Sequence, residues 1–231
     1  MNKLASLYSK AEARDKMLKF AQFSARFIRT FTQNQLLLQR LNGLYSNVKT
    51  SRKIFRLGKS CCELHAIHRL LTTQAPQDWA VFLQVLVRVA FCLHWLFDNL
   101  SVLAACQVVQ WEAKELNRVA MVAWFGAVVL SLLGVLVALA RNYSEEALCL
   151  SQSFPSQDSP KIAKFRSVRP TLFLNLLKNI CDFFPSASGS QLPQRYLGLS
   201  PGERLCGLGG SASALIALYQ LYANSAGSDG K

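Results

Sequence analysis

The sequence predicts an all-α integral membrane protein: basic amphipathic helices come first, and about two transmembrane helices follow. Three observations predict it. The chain has 231 residues with 26 Lys+Arg against 13 Asp+Glu, a net charge of +13, yet 51% of it is hydrophobic. A soluble nucleic-acid binder shares the charge but seldom the apolar fraction; the combination fits an anionic membrane surface. The charge is also uneven, with +11 falling in residues 1–72 and no charge at all in residues 119–140. Finally, the uncharged runs are long enough for a hydrocarbon core of about 30 Å.

Residues 1–78 form the basic region. Over 3–31 the apolar positions Met17, Phe20, Ala21, Ser24, Phe27, Ile28 and Phe31 recur at helical spacing. A second helix is expected over 34–48, with Gly43 as a break. The stretch "TSRKIFRLGKSCCELHAIHRLL" then reads as one helix over 51–71, with Ser51 as N-cap. Ile54, Leu57, Cys61, Leu64, His68 and Leu71 make its apolar stripe, widened by Phe55, while Arg52, Arg56 and Lys59 line another face.

Pro76 and Asp78 punctuate the chain before an apolar region, 79–118, expected to be a buried or interfacial helix. Arg88, His94 and Asp98 interrupt it; Arg88 and Asp98 are too far apart in sequence to pair along one helix, so each needs another partner if buried. Residues 119–140, "VAMVAWFGAVVLSLLGVLVALA", are bracketed by Arg118 and Arg141 and read as a transmembrane helix. Residues 141–204 read as a polar loop with a short amphipathic helix, "TLFLNLLKNICDFF". Residues 205–223 read as a second span, in which Gly207, Gly210 and Ala214 offer a small-residue stripe for oligomerisation, and 224–231 as a short tail. Two spans put both termini on one side, and the positive-inside rule makes that side cytosolic.

Little in the sequence points to chemistry. No phosphate-loop or strand-coupled glycine motif occurs, and the carboxylates are scattered, so no catalytic residue, cofactor or metal is expected. Cys61, Cys62, His65 and His68 lie close in sequence but lack a second ligand cluster, and core or interfacial roles fit them better. The seven cysteines are odd in number and contain no CxxC, consistent with small apolar residues rather than a disulfide framework. With only Phe55 interleaved, the basic stretch is not expected to bind nucleic acid. The opening residues lack the continuous apolar core of a secretory signal.

Four stretches, in this order, resemble the peroxisomal membrane protein 11 family: "EARDKMLKFAQFSARFI", "SRKIFRLGKSCCEL", "HWLFDNLSVLA" and "LGLSPGERLCGLGGSASALIALYQLY". The resemblance covers roughly residues 8–223, with no match in the loop at 142–200. It implies an integral peroxisomal membrane protein, a peroxin of peroxisome proliferation that self-associates. Such a protein elongates the membrane before fission and recruits a dynamin-type GTPase and its adaptors. By that resemblance Arg52, Lys53, Arg56 and Lys59 would contact headgroups of an anionic lipid membrane, while Ile54, Phe55, Leu57 and Leu64 would wedge between acyl chains. Some members are proposed to be metabolite pores, for which Arg88, His94 and Asp98 are the intramembrane polar candidates here. A membrane-shaping protein, a channel for small metabolites and an adaptor for the fission machinery therefore all stand as readings of the sequence.

Overall fold

The computed structural model describes residues 8–73, 78–152 and 160–228. Its helices are α1 (Ala11–Ile28), α2 (Gln35–Ile54), α3 (Lys59–Thr73), α4 (Trp79–Ala105), α5 (Ala113–Gln152), α6 (Pro160–Ser190), α7 (Leu192–Leu197) and α8 (Glu203–Ser228), with no strand among the described residues. The expected helical residues 3–7, Pro76 of the expected break, and part of the expected tail lie outside them.

Local chemistry sets the boundaries. Asn34 caps α2 by accepting from the Leu37 N–H at 3.2 Å, and Asp78 caps α4 by accepting from the Ala80 N–H at 3.0 Å. Ser51 is not a cap. It sits inside α2, and its hydroxyl donates to the Asn47 carbonyl one turn back at 2.9 Å. Nor does Gly43 break α2, which runs on to Ile54. The break comes later, at Gly58, which adopts φ +75°. Only glycine takes that conformation cheaply. The expected single helix over 51–71 is therefore two helices, and its continuous apolar stripe does not exist.

Three helices are long and apolar enough to cross a membrane: Trp79–Ala105, Ala113–Ser151 and Glu203–Ser225. Two of these contain the expected spans; the third is the region read as buried or interfacial. At 1.5 Å per residue, α4 is about 40 Å long and α5 about 60 Å.

The expected polar loop at 141–204 is also mostly helix. Its first residues complete α5, and α6 supplies 31 more with Pro170 and Pro185 inside it. Pairings along the helices give their directions. Glu146 of α5 takes Arg166 of α6 at 2.9 Å, near the start of α6, and Phe125 packs on Phe183 near its end. Asp182 of α6 accepts from Ser213 of α8, and Asn175 accepts from Gln220. Both neighbours therefore run antiparallel to α6, so α5 and α8 run the same way. If both cross a membrane, the chain must return between them, and α6 is that return leg.

The remaining contacts close a ring. His94 of α4 meets the Ala120 carbonyl of α5 at 2.8 Å. Across the seam of α8 and α1, Lys10 donates to Ser225 and Arg26 holds Glu203 through two bonds at 2.9 and 2.7 Å. Arg52 ties α2 back to α1, and Lys53 ties α2 to Ser101 of α4.

The α1–α8 seam is tight because its α8 side is nearly bare. A Cβ at Gly207 would lie 2.7 Å from the Phe27 backbone, and one at Gly210 2.2 Å from the Phe23 ring. Ala214 is fully buried. The stripe expected to mediate oligomerisation is thus occupied by α1 of the same chain. A similar approach joins α8 to α6. Pro185 has no N–H to give the Cys181 carbonyl one turn back, and that carbonyl lies where a Cβ at Gly209 would be only 2.5 Å away.

Gly207→Ala is expected to destabilise the chain by about 1–3 kcal/mol, because the obstacle is backbone. Gly43→Ala meets nothing within 4 Å and should be neutral or stabilise by up to about 1 kcal/mol. Thermal unfolding of the two variants in one detergent checks both signs.

Candidate functional site: a charged cavity inside the ring

The ring carries its charge inside, among apolar side chains, and is largely apolar outside. On α1, Asp15, Lys19, Gln22 and Arg26 are buried at helical spacing beside Phe23, whereas Phe20 and Ile28, and Phe31 just beyond its end, are exposed. That reverses a water-soluble bundle and suits a lipid surround, where the cost of exposing charge falls on the outer face. The apolar stripe read from the sequence of α1 is real but points largely outward.

Of the basic residues at 52–59, Arg52, Lys53 and Arg56 point into the ring. Arg52 donates through Nε to Asp15 at 3.1 Å and through its terminal nitrogen to Gln22 at 2.6 Å. Lys53 holds Asp98 at 3.0 Å and donates to Ser101 at 2.7 Å and Asn117 at 3.0 Å, so its ammonium has three acceptors. Arg56 bridges Asp15 at 3.3 Å and Asp98 at 3.5 Å. It also lies over the Trp95 ring, with Lys59 4.7 Å from the same ring. Arg52, Lys53 and Arg56 are thus not free to serve as the headgroup contacts expected of them, while Lys59 has only the Trp95 ring. The apolar residues between them, Ile54, Phe55, Leu57 and Leu64, are 57%, 40%, 51% and 58% exposed.

Burial by itself raises the Asp15 carboxyl, but Arg52 and Arg56 outweigh it and hold the group at about 2. Burial and the neighbouring Arg56 pull Arg52 down to about 10. A lone buried ion would cost several kcal/mol, so the network holds only as a unit.

The network forms one wall of a cavity of about 1210 Å³, which also reaches Arg88, His94 and Asp98. The structure thus brings all three expected pore residues to one space, in different states. Asp98 is committed to Lys53 and Arg56. His94 is buried against the Ala120 carbonyl and stacks on Trp124. Arg88 is half exposed and paired with Glu63 of α3 at 3.0 Å. Deeper in the ring, Lys19 holds Asp182 at 2.6 Å.

Sequence reasoning missed Asp15, Lys19, Lys49, Lys178 and Asp182 as site residues. The signal for α1 was present: its polar residues keep helical register as strictly as its apolar ones. At one end of the ring, Asp78 and Arg141 form a two-bond pair at 2.7 and 2.8 Å between α4 and α5. That hydrogen bonding, together with the Ala80 N–H, lowers the Asp78 carboxyl to about 2.

Asp15→Asn is expected to cost about 3–5 kcal/mol, because Arg52 and Arg56 lose their shared carboxylate. Asp15→Leu combined with Arg52→Met should recover most of that loss. The carboxyl's contribution is complete above its ordinary 3.8 and is lost as pH falls through about 2. Unfolding temperatures measured against pH should therefore show an acid limb that Asp15→Asn weakens.

The sequence profile of the Peroxisomal biogenesis factor 11 (PEX11) family matches residues 1–222. Among curated proteins, the Peroxisomal membrane protein 11 homolog of Dictyostelium discoideum is 20% identical over 251 residues, covering 96% of this chain and 94% of that one. No solved structure matches.

Proposed function

The chain belongs to the Peroxisomal biogenesis factor 11 family, a membrane protein of peroxisome biogenesis, and we propose that within this role it elongates the peroxisomal membrane ahead of fission by wedging α2 and α3 into one leaflet. One observation carries the reading: Arg52, Lys53 and Arg56 are spent inside the ring, while Ile54, Phe55, Leu57 and Leu64 remain exposed on its outside. Neither α2 nor α3 is among the helices apolar enough to cross a membrane. An outward apolar ridge on two helices joined by a turn suits shallow insertion, which expands one leaflet and favours positive curvature. Leu36, Leu37 and Leu44 extend the ridge along α2 and Leu71 along α3.

This differs from a basic helix laid on headgroups. Attraction to anionic lipid falls instead to exposed cations such as Arg40 and Arg69, each worth about 1 kcal/mol near such a surface. On this reading both termini are cytosolic, as the positive-inside rule leads one to expect, and the wedge would enter the cytosolic leaflet. A dynamin-type GTPase and its adaptors would then act on the narrowed membrane.

The cavity favours a second reading, a passage for small metabolites through the ring. Its volume exceeds that of common small-molecule sites, about 300–1,000 Å³.

For the wedge, Ile54, Phe55 and Leu57 replaced together by Ser should abolish tubulation of liposomes by the full chain while its membrane insertion persists. Tubules of wild-type shape and number from that variant would refute the wedge. For the passage, solute flux through reconstituted liposomes should change in Arg88→Leu, and unchanged flux would count against it.

A further inference from the structure

Ten lysines and arginines but only five carboxylates line the cavity. Seven of these cations have a carboxylate partner: Arg52 and Arg56 share Asp15, Lys53 holds Asp98, Lys19 holds Asp182, Arg26 holds Glu203, and Arg88 and Arg141 reach Glu63 and Asp78. Three do not. Among the described residues Lys49 and Lys178 make no hydrogen bond or ion pair. Lys16 reaches only Asp15, at 3.9 Å, and that carboxylate is already shared by two arginines.

These three ammoniums come from α1, α2 and α6 and all border the same space. Lys178 lies within electrostatic reach of both Lys16 and Arg88, with Glu12 and Asp182 as the nearby carboxylates. The indole N–H of Trp95, in the same wall, is buried without a partner. Unneutralised cations and an orphaned donor around a roomy cavity are the complement of an anion with several acceptor oxygens. We propose that this cavity binds a phosphate-bearing anion at Lys16 and Lys178, with Lys49 and Trp95 as a further cation and donor bordering the same space. A phosphate group accepts from ammoniums as point charges and needs no planar fork, which fits a set of lysines from three helices. The phosphate could arrive on a soluble metabolite or as the headgroup of an acidic phospholipid. The site does not depend on passage through the ring: binding and flux are separate readouts, and either can fail alone.

The test uses the full chain in phosphatidylcholine nanodiscs, titrated with inorganic pyrophosphate against sodium chloride of equal ionic strength. The expected result is a saturable rise in unfolding temperature with pyrophosphate. Lys16→Met with Lys178→Met should weaken binding about tenfold or more, while Lys178→Arg and the exposed-surface variant Lys114→Met should leave it near wild type. The Met substitutions remove cations with little or no neutralisation. The ligand-free unfolding temperature should therefore hold or rise, which separates lost binding from lost fold. A second arm adds phosphatidylinositol 4-phosphate to the discs. If the lipid headgroup occupies the site, it stabilises the wild type but not the Met variant and competes with pyrophosphate; if the ligand is soluble, pyrophosphate affinity is unchanged. No saturable stabilisation in either disc, or equal binding by wild type and the Met variant, would overturn the proposal.

Discussion

The Asp15–Arg52–Arg56–Asp98–Lys53 network is the constraint on which the rest of the ring depends. Its charges sit among helices whose outer faces are apolar, so they can be neither exposed to lipid nor left alone. Pairing them requires α1, α2 and α4 to turn their polar residues to one side. The same orientation carries Ile54, Phe55 and Leu57 to the other side. The outward ridge and the inward charge are consequently one structural fact, and the turn that holds the last paired arginine, Arg56, closes on Gly58.

A stable charged interior also explains why the small residues of α8 serve the fold. Without bulk on that face, α1 can approach closely enough for Arg26 to reach Glu203 and for Lys19 to reach Asp182. Van der Waals packing at the glycines and the ion pairs beside them stabilise the same seam. A substitution that widens it would therefore disturb the cavity as well as the helix pair. The apolar ridge sits on the opposite side of α2 from this machinery.

Much of this was legible in the sequence, and the failures share a cause. The all-α class, the long apolar helices that contain 119–140 and 205–223 and the family all followed from apolar run length and ordered motifs. The third candidate span was obscured because Arg88, His94 and Asp98 look prohibitive in a lipid-facing helix; they are tolerable because they face a cavity. Reading 141–204 as a loop followed from its Ser, Pro and charge content, yet Pro170 and Pro185 lie within α6, packed between apolar helices. The helix over 51–71 failed for a local reason, the left-handed Gly58. The inward turn of Arg52, Lys53 and Arg56 could not be read locally at all. It depends on Asp15 and Asp98, which are distant in sequence and close only in the fold.

The central claim is that charge faces into the ring and the ridge faces lipid. Spin labels placed singly at 54, 57 and 64, and at 16, 49 and 178, in a cysteine-free full chain in nanodiscs test it most directly. Collision with molecular oxygen reports lipid, and collision with a water-soluble nickel chelate reports aqueous space. The account predicts that the first set responds to oxygen and is shielded from the chelate, and that the second set responds to the chelate. The opposite assignment, with 54, 57 and 64 shielded from oxygen and 16, 49 and 178 immersed in lipid, would contradict it.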